Sequence, residues 1–258
     1  MSSILFEQQG NLGFIRLNRP EKFNAFNREM AFGLQQVLDE CSANESIRAI
    51  YLTGMGKAFS AGQDLSELTG SNPVGIDKIL SEHYNPIVLR MRNISKPILC
   101  AVNGVAAGAG ANIALCADIV LASEQASFIQ AFSKIGLIPD SSGTFFLPRL
   151  IGFQKASALM MTGDKVTAMD AEKMGMLYKV YPAEKFEEES IKLAFLISEM
   201  PTHGLALTKQ ALNQSMQHNL EQQLQLEDVL QRQAADTADY REGVAAFMEK
   251  RTPLFNGK

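Results

Sequence analysis

Apolar positions along the chain follow two rhythms. In the first 150 residues, short runs of β-branched and apolar residues are closed off by Gly, Pro or Asn: "GFIRLN" (13–18), "IRAIYLTG" (47–54), "KPILCAVNG" (96–104) and "DIVLAS" (118–123). Such runs read as strands. Between the first two, Met30, Leu34, Val37, Leu38 and Cys41 fall on one face at helical spacing, which predicts a helix over 27–41. Each later strand leads into similar material. "IYLTG" is followed by "KAFSAGQDL", "ILCAVNG" by "VAAGAGANIALC", and "DIVLAS" by "ASFIQAFSKIGLIPD". Strand, turn, small-residue turn and helix start recur as a loose βα repeat of irregular period.

After about residue 150 this reading contains no more strands. "TAMDAEKMG" carries a Thr167/Asp170 capping pattern and stops at Gly175. Three helices are expected next, "GLALTKQALNQSMQHN", "LEQQLQLEDVLQRQAAD" and "DYREGVAAFMEKR", the last opened by Asp239 with Glu242 three residues on. Leu224, Leu226, Val229 and Leu230 make one apolar face on a glutamine-rich helix, suited to packing on the domain or on another subunit. "TGSNPVG" (69–75) is the expected mobile loop.

The 258 residues suit one large domain, or a domain with an extension. A net charge of −4 and a pI near 5.5 give no electrostatic footprint for nucleic acid. Cys41, Cys100 and Cys116 are scattered through apolar segments without metal spacing, as buried, reduced thiols would be. "MSSILFEQQGNLGF" lacks the features of a signal peptide, and the longest small-residue stretch (101–122) is broken by Asn103, Asn112 and Asp118. A cytoplasmic protein with no membrane partner is expected.

"IGLIPDSSGT" (135–144) ends an apolar run on Asp140. By itself this is either a turn or an acid at the mouth of an apolar pocket. Other chemistries fail on the residues. Ser60 lacks the first glycine of a nucleophile elbow. His203 and His218 lie in the helical tail, and His83 has no partner motif. Gly108-Ala109-Gly110 continues to Ile113 where a dinucleotide fingerprint needs a third glycine, and Gly54-Met55-Gly56-Lys57 is too short for a phosphate loop. Two small-residue turns remain, "FSAGQDL" and "GVAAGAGAN". Turns of this kind leave amide N–H groups available, and two amides aimed at one oxygen form an oxyanion hole. The same residues would serve tight strand–helix packing, so the residues alone leave both readings open.

Taken together, "AFSAGQDL", "KPILCAVNGVAAGAGANIALCADIVLAS", "FIQAFSKIGLIPDSSGTFFLPRLIG" and "ADYREGVAAFMEKRTPLF" resemble the crotonase (enoyl-CoA hydratase/isomerase) superfamily over nearly the whole chain. The resemblance implies an α/β fold, with a spiral of ββα units over 1–198 and a helical trimerisation region over 199–258. It implies a homotrimer, or a hexamer formed as a dimer of trimers. It also implies an acyl-CoA substrate, with no cofactor beyond the coenzyme A that the substrate carries and no metal. By position, the amides of Ala61 and Ala109 would hold the thioester oxygen. Lys22, Phe23 and Ala25 would cradle coenzyme A, and Phe247 and Lys250 would reach a neighbour's nucleotide. Gln63, Asp64, Leu65, Tyr84, Gly108, Phe132 and Pro139 are the other expected substrate-side residues. Asp64 also reads as a helix cap, Asp118 as the anchor of a strand entry, and Tyr84-Asn85 as pocket lining or a helix end.

The departures from the family pattern select the chemistry. Its hydratases use two glutamates, and the matching positions here are Asn112 and Phe132. Asp140 matches an aspartate of several family isomerases, and its segment is most similar to ring isomerases of phenylacetate breakdown. A single carboxylate suffices to shift a double bond, or to rearrange a ring epoxide, next to a thioester. Ile138 and Phe132 are expected to desolvate it and raise its pKa. The alternatives are a Δ3,Δ2-enoyl-CoA isomerase, an enoyl-CoA hydratase, and a non-catalytic CoA- or RNA-binding scaffold. The dehalogenase branch uses tryptophan, which this chain lacks.

Overall fold

The long apolar runs become strands of one large sheet in a computed structural model that describes residues 2–69 and 73–258. Gly70, Ser71 and Asn72 of the expected mobile loop lie outside the described residues. In chain order the strands are β1 (Ile4–Gln9), β2 (Leu12–Leu17), β3 (Ala49–Gly54), β4 (Ala58–Ser60), β5 (Ile98–Val102), β6 (Val105–Ala107), β7 (Ile119–Ser123), β8 (Ser127–Ile129), β9 (Lys165–Thr167) and β10 (Lys179–Tyr181). The large sheet has the order β1-β2-β3-β5-β7-β10 and is parallel except for the β1–β2 hairpin. β5 is buried at every position, as a central parallel strand covered on both faces should be. A smaller sheet has the order β4-β6-β8-β9, with the first three strands parallel.

From β3 to β8 each turn of the spiral lays one strand in the large sheet and the next in the small one, then passes to a helix. The main core lies between the layers, and a second cluster around Phe14, Tyr51 and Leu99 packs under the helix Phe186–Ser198. Cys41, Cys100 and Cys116 are buried and unpaired, and burial pushes their thiols up. The helix Arg28–Ala43 begins one residue inside its expected start. Asn27 Oδ1 accepts from the Met30 N–H at 3.0 Å, and Met30, Leu34, Leu38 and Cys41 face the core.

Two expectations are corrected. Strands continue past residue 150, because β9 and β10 are three-residue pieces too short to show a period. The helix Ala238–Glu249 is opened by Thr237, whose Oγ1 accepts from the Tyr240 N–H at 3.0 Å, and not by Asp239. Asp239 is buried and accepts from the Asn256 and Gly257 N–H groups at 2.7 and 2.8 Å, which ties down the chain end. The preceding helices are Thr202–Ser215 and Leu220–Ala235; Leu230 packs inward while Leu224 and Val229 stay exposed. Among the described residues, no helix is long and apolar enough to cross a membrane.

Candidate active site

β4, β6 and β8 run parallel, so their C-terminal ends lie side by side, and each leads straight into a segment of the site. After β4 the chain turns through Ser60–Asp64. Ser60 is buried; its Oγ donates to the Asn24 carbonyl at 2.8 Å and accepts from the Gly62 N–H at 3.2 Å, which explains the serine without any nucleophilic role. The Ala61 N–H donates to the Phe23 carbonyl at 2.9 Å, and the Asp64 N–H to the Phe26 carbonyl at 2.8 Å. Ala61 therefore cannot supply the oxyanion donor expected of it. The one amide of this turn without an acceptor among the described residues is that of Gln63.

Gly62 is what turns that amide. Its φ is +89°, and a Cβ there would stand 2.8 Å from the Ala107 carbonyl oxygen. The same hypothetical atom would lie 3.5 Å from the Ala109 nitrogen, so the two small-residue turns adjoin. Ala109 opens the helix Ala109–Leu115, and its N–H also has no acceptor among the described residues. Gln63 and Ala109 thus present two available amides at one place.

They face a cavity of about 180 Å³ lined by Ala61, Gly62, Gln63, Leu65, Leu68, Ile76, Ile79, Tyr84, Gly108, Ala109, Ala131, Phe132, Ile135, Leu137 and Asp140. Among the described residues, Gln63, Tyr84 and Asp140 alone bring polar side chains to it. Asp140 is half-buried, and burial raises its carboxyl above the ordinary carboxylate range, although Ser141 Oγ donates to its Oδ1 at 2.7 Å and works against the rise. The apolar groups beside it differ in part from those expected. Phe132 lines the cavity, but Ile138 is 79% exposed, and Ile135 and Leu137 contribute in its place. Pro139 is not among the cavity-lining residues.

The two positions of the missing glutamates are accounted for. Phe132 is buried against Gly108, where an added Cβ would come within 3.8 Å of its ring. Asn112 is buried with both ends of its amide engaged. Its Nδ2 donates to the Asp140 carbonyl, and its Oδ1 accepts from Gln130 Nε2, both at 2.8 Å.

Tyr84 closes the π-helical turn Ile79–Tyr84, a distortion that recurs at functional sites. Its hydroxyl donates to Gln63 Oε1 at 2.8 Å, and burial, together with the charge of Asp140, pushes the phenol well up. Asn85 is exposed and does not line the cavity. The Asp64 carboxylate is engaged within the fold, and Asp64 is not among the cavity-lining residues. One oxygen accepts from the Ser66 N–H and Oγ, and the other pairs with Arg19 at 2.9 Å; although burial opposes it, these bonds hold the carboxyl below its ordinary range. Asp118 anchors the start of β5 through the Ile98 N–H and pairs with Arg92 and Lys209. Lys22 and Phe23 are exposed beside the Ala61 turn, and the Ala25 carbonyl accepts from Arg19. Phe247, 81% exposed, and Lys250 lie at the end of the last long helix and do not line this cavity. The sequence reading did not anticipate the Gln63 amide, the Asn112–Gln130 pair or the Ser141 hydroxyl. A glycine before Gln63 was the only available signal.

Known proteins match this architecture along its whole length. The profile of the Enoyl-CoA hydratase/isomerase family matches residues 7–258. The 1,2-epoxyphenylacetyl-CoA isomerase of Escherichia coli K12 is 44% identical over 262 residues, covering 100% of both chains. A probable enoyl-CoA hydratase of Rhodobacter capsulatus is 40% identical over 99% of this chain and 98% of its own. The crystal structure of an enoyl-CoA hydratase from Bacillus anthracis superposes with a TM-score of 0.95 at 32% identity, covering 99% of this chain and 100% of that one. The chain belongs to the enoyl-CoA hydratase/isomerase family and has the crotonase fold.

Proposed function

We propose that this protein is an acyl-CoA isomerase that moves a double bond, or rearranges a ring epoxide, beside the thioester, with Asp140 as the proton carrier. The observation that carries the reading is the inventory of the cavity. Asp140 is its one carboxylate, and the positions of the two hydratase glutamates hold a fully engaged amide and a phenyl ring. The Gln63 and Ala109 N–H groups receive the thioester oxygen and stabilise the negative charge that builds on it. Asp140, ionised, takes a proton from the carbon α or γ to the thioester. The electron pair moves onto the oxygen as a dienolate, and Asp140 returns the proton at the other end of the conjugated system. A raised carboxyl pKa favours that return.

With an epoxidised phenylacetyl-CoA, the same cycle takes the proton from the α carbon and returns it to a ring carbon as the ring expands, with no net gain or loss of atoms. Similarity to the epoxyphenylacetyl-CoA isomerase supports this substrate. Coenzyme A would lie along Lys22, Phe23 and Ala25. Leu224 and Val229 would pack between subunits of a trimer, and Phe247 and Lys250 would meet a neighbour's nucleotide. Hydration is the second reading, favoured by the name of the Rhodobacter capsulatus relative, but it lacks a second carboxylate to activate water.

The test offers 3-enoyl-CoA, 2-enoyl-CoA and the ring epoxide to wild type and Asp140→Asn, with deuterium uptake read at the α and γ carbons. Isomer formation with deuterium uptake by wild type alone is expected. Full turnover by Asp140→Asn, or rapid hydration of crotonyl-CoA by wild type, would overturn the proposal.

A further inference from the structure

We infer that Asn112 is a positioning residue, whose amide clamps the strained turn behind Asp140 and so fixes where the carboxylate stands relative to the thioester. The inference rests on the role proposed for Asp140 and concerns how that group is held.

The turn needs holding. Ser141 and Ser142 follow Asp140 with φ of +49° and +67°, two consecutive non-glycine residues in the left-handed region. A residue with a Cβ adopts it at a cost, and such geometry persists only where the surroundings impose it. Left alone, this segment would relax and carry Asp140 with it.

What imposes the geometry is visible. The Asp140 carbonyl accepts two hydrogen bonds, from the Gly143 N–H within the turn and from Asn112 Nδ2 outside it, each 2.8 Å. Only the second ties the turn to another element. Asn112 is 1% exposed, and its amide is oriented from the far side, because Gln130 Nε2 donates to Oδ1 at 2.8 Å. Reversed, the amide would set its oxygen against the Asp140 carbonyl and its NH₂ against that of Gln130. Space for the clamp is reserved at Gly143, where a Cβ would fall 2.3 Å from Asn112 Nδ2. Ala109 and Asn112 share the first turn of one helix, and the Asn112 N–H donates to the Gly108 carbonyl at 3.1 Å. The donor for the thioester oxygen and the clamp on the acid are therefore parts of one rigid piece.

Three variants and two readouts test this: Asn112→Ala, Gly143→Ala and Asn112→Ala/Ser142→Gly. The readouts are the split of kcat and KM, and the carboxyl titration of Asp140 by ¹³C NMR, its signal assigned by its absence in Asp140→Asn. Displacing a reacting group by about an ångström costs about 10²-fold. Asn112→Ala should therefore lose about 10- to 100-fold in kcat with KM little changed, and the Asp140 titration should fall toward the ordinary carboxylate range as the group swings into water. Gly143→Ala, which pushes the amide away while leaving Asn112 present, should show the same pattern. Adding Ser142→Gly, which removes one left-handed penalty, should restore part of the loss. A wild-type kcat and Asp140 titration in Asn112→Ala, or no rescue by Ser142→Gly, would overturn the clamp. Should Asn112→Ala not fold, Gly143→Ala decides on the same two readouts. The titration needs no turnover, so it judges the clamp even if the wild-type enzyme shifts no double bond, a result that would sink only the proposed reaction.

Discussion

At the Ser60–Asp64 turn the unbonded donor beside the cavity is a backbone amide, and the missing side chain at Gly62 places it. Gly62 lets the turn after β4 approach the end of β6; the Gln63 amide is left over because Ala61, Gly62 and Asp64 are bonded elsewhere, and the Ala109 amide because it is the first of its helix. At the Asp140–Gly143 turn the working group is a side chain. Its backbone is held in an unfavourable conformation by an amide reaching across from another element. The first half of the site is defined by sterics at Gly62. The second is defined by one long-range hydrogen bond and tolerates little. Binding the thioester oxygen and moving the proton should accordingly be separable by mutation.

The largest effect expected is on proton transfer alone. Asp140→Asn should lower isomerase kcat by about 10²–10⁴-fold, while calorimetry with an unreactive CoA thioester shows affinity near that of wild type. A large loss of affinity would break the separation. Gly62→Ala should do the opposite. Its φ of +89° and the Ala107 carbonyl at 2.8 Å forbid the added methyl group without movement. Loss of an oxyanion donor is worth about 10²–10³-fold in kcat, and here thioester affinity and Tm should fall with it. Tyr84→Phe is milder. It leaves Gln63 Oε1 without its donor but spares the Gln63 N–H, so urea unfolding should show a loss of about 0.5–1.5 kcal/mol with kcat largely kept.

The smallest effect is on the pH dependence of stability. Burial raises the Asp140 carboxyl in the fold, so Asp140 contributes stability below the ordinary carboxylate range and loses that contribution as pH rises through its raised value. Thermal unfolding should show Asp140→Asn gaining on wild type between acid and neutral pH. A constant difference across that range would mean that the turn does not desolvate the acid.

The pattern of the chain revealed the long strands because apolar runs such as Ile98–Val102 are buried on both faces. It missed β1, whose outer face is polar, and the three-residue strands of the small sheet, which exist because the spiral brings them together. Ala61 was singled out by its place between serine and glycine. Which amide of that turn stays unbonded depends on the Gly62 dihedral and on Phe23, both invisible to spacing. Asp239 looked like a helix opener because Glu242 follows at the right interval, yet it serves residues 256 and 257, which reach it only through tertiary folding. Asp140 was legible as an acid after an apolar run, whereas its hold on Asn112, 28 residues away in the chain, was not.

The engaged amide at position 112 also bears on how one chemistry could be exchanged for another over evolutionary time. A glutamate there would offer a carboxylate to water, but once ionised it cannot donate to the carbonyl behind Asp140, and it must find room beside Gly143. A single substitution would thus remove the support of the existing acid before a second glutamate, at Phe132, could complete the alternative. On the proposed reaction, the path between the two activities crosses a state poor at both, so descendants should diversify by altering the cavity-lining Leu65, Ile79 or Leu137 before they change the reaction itself.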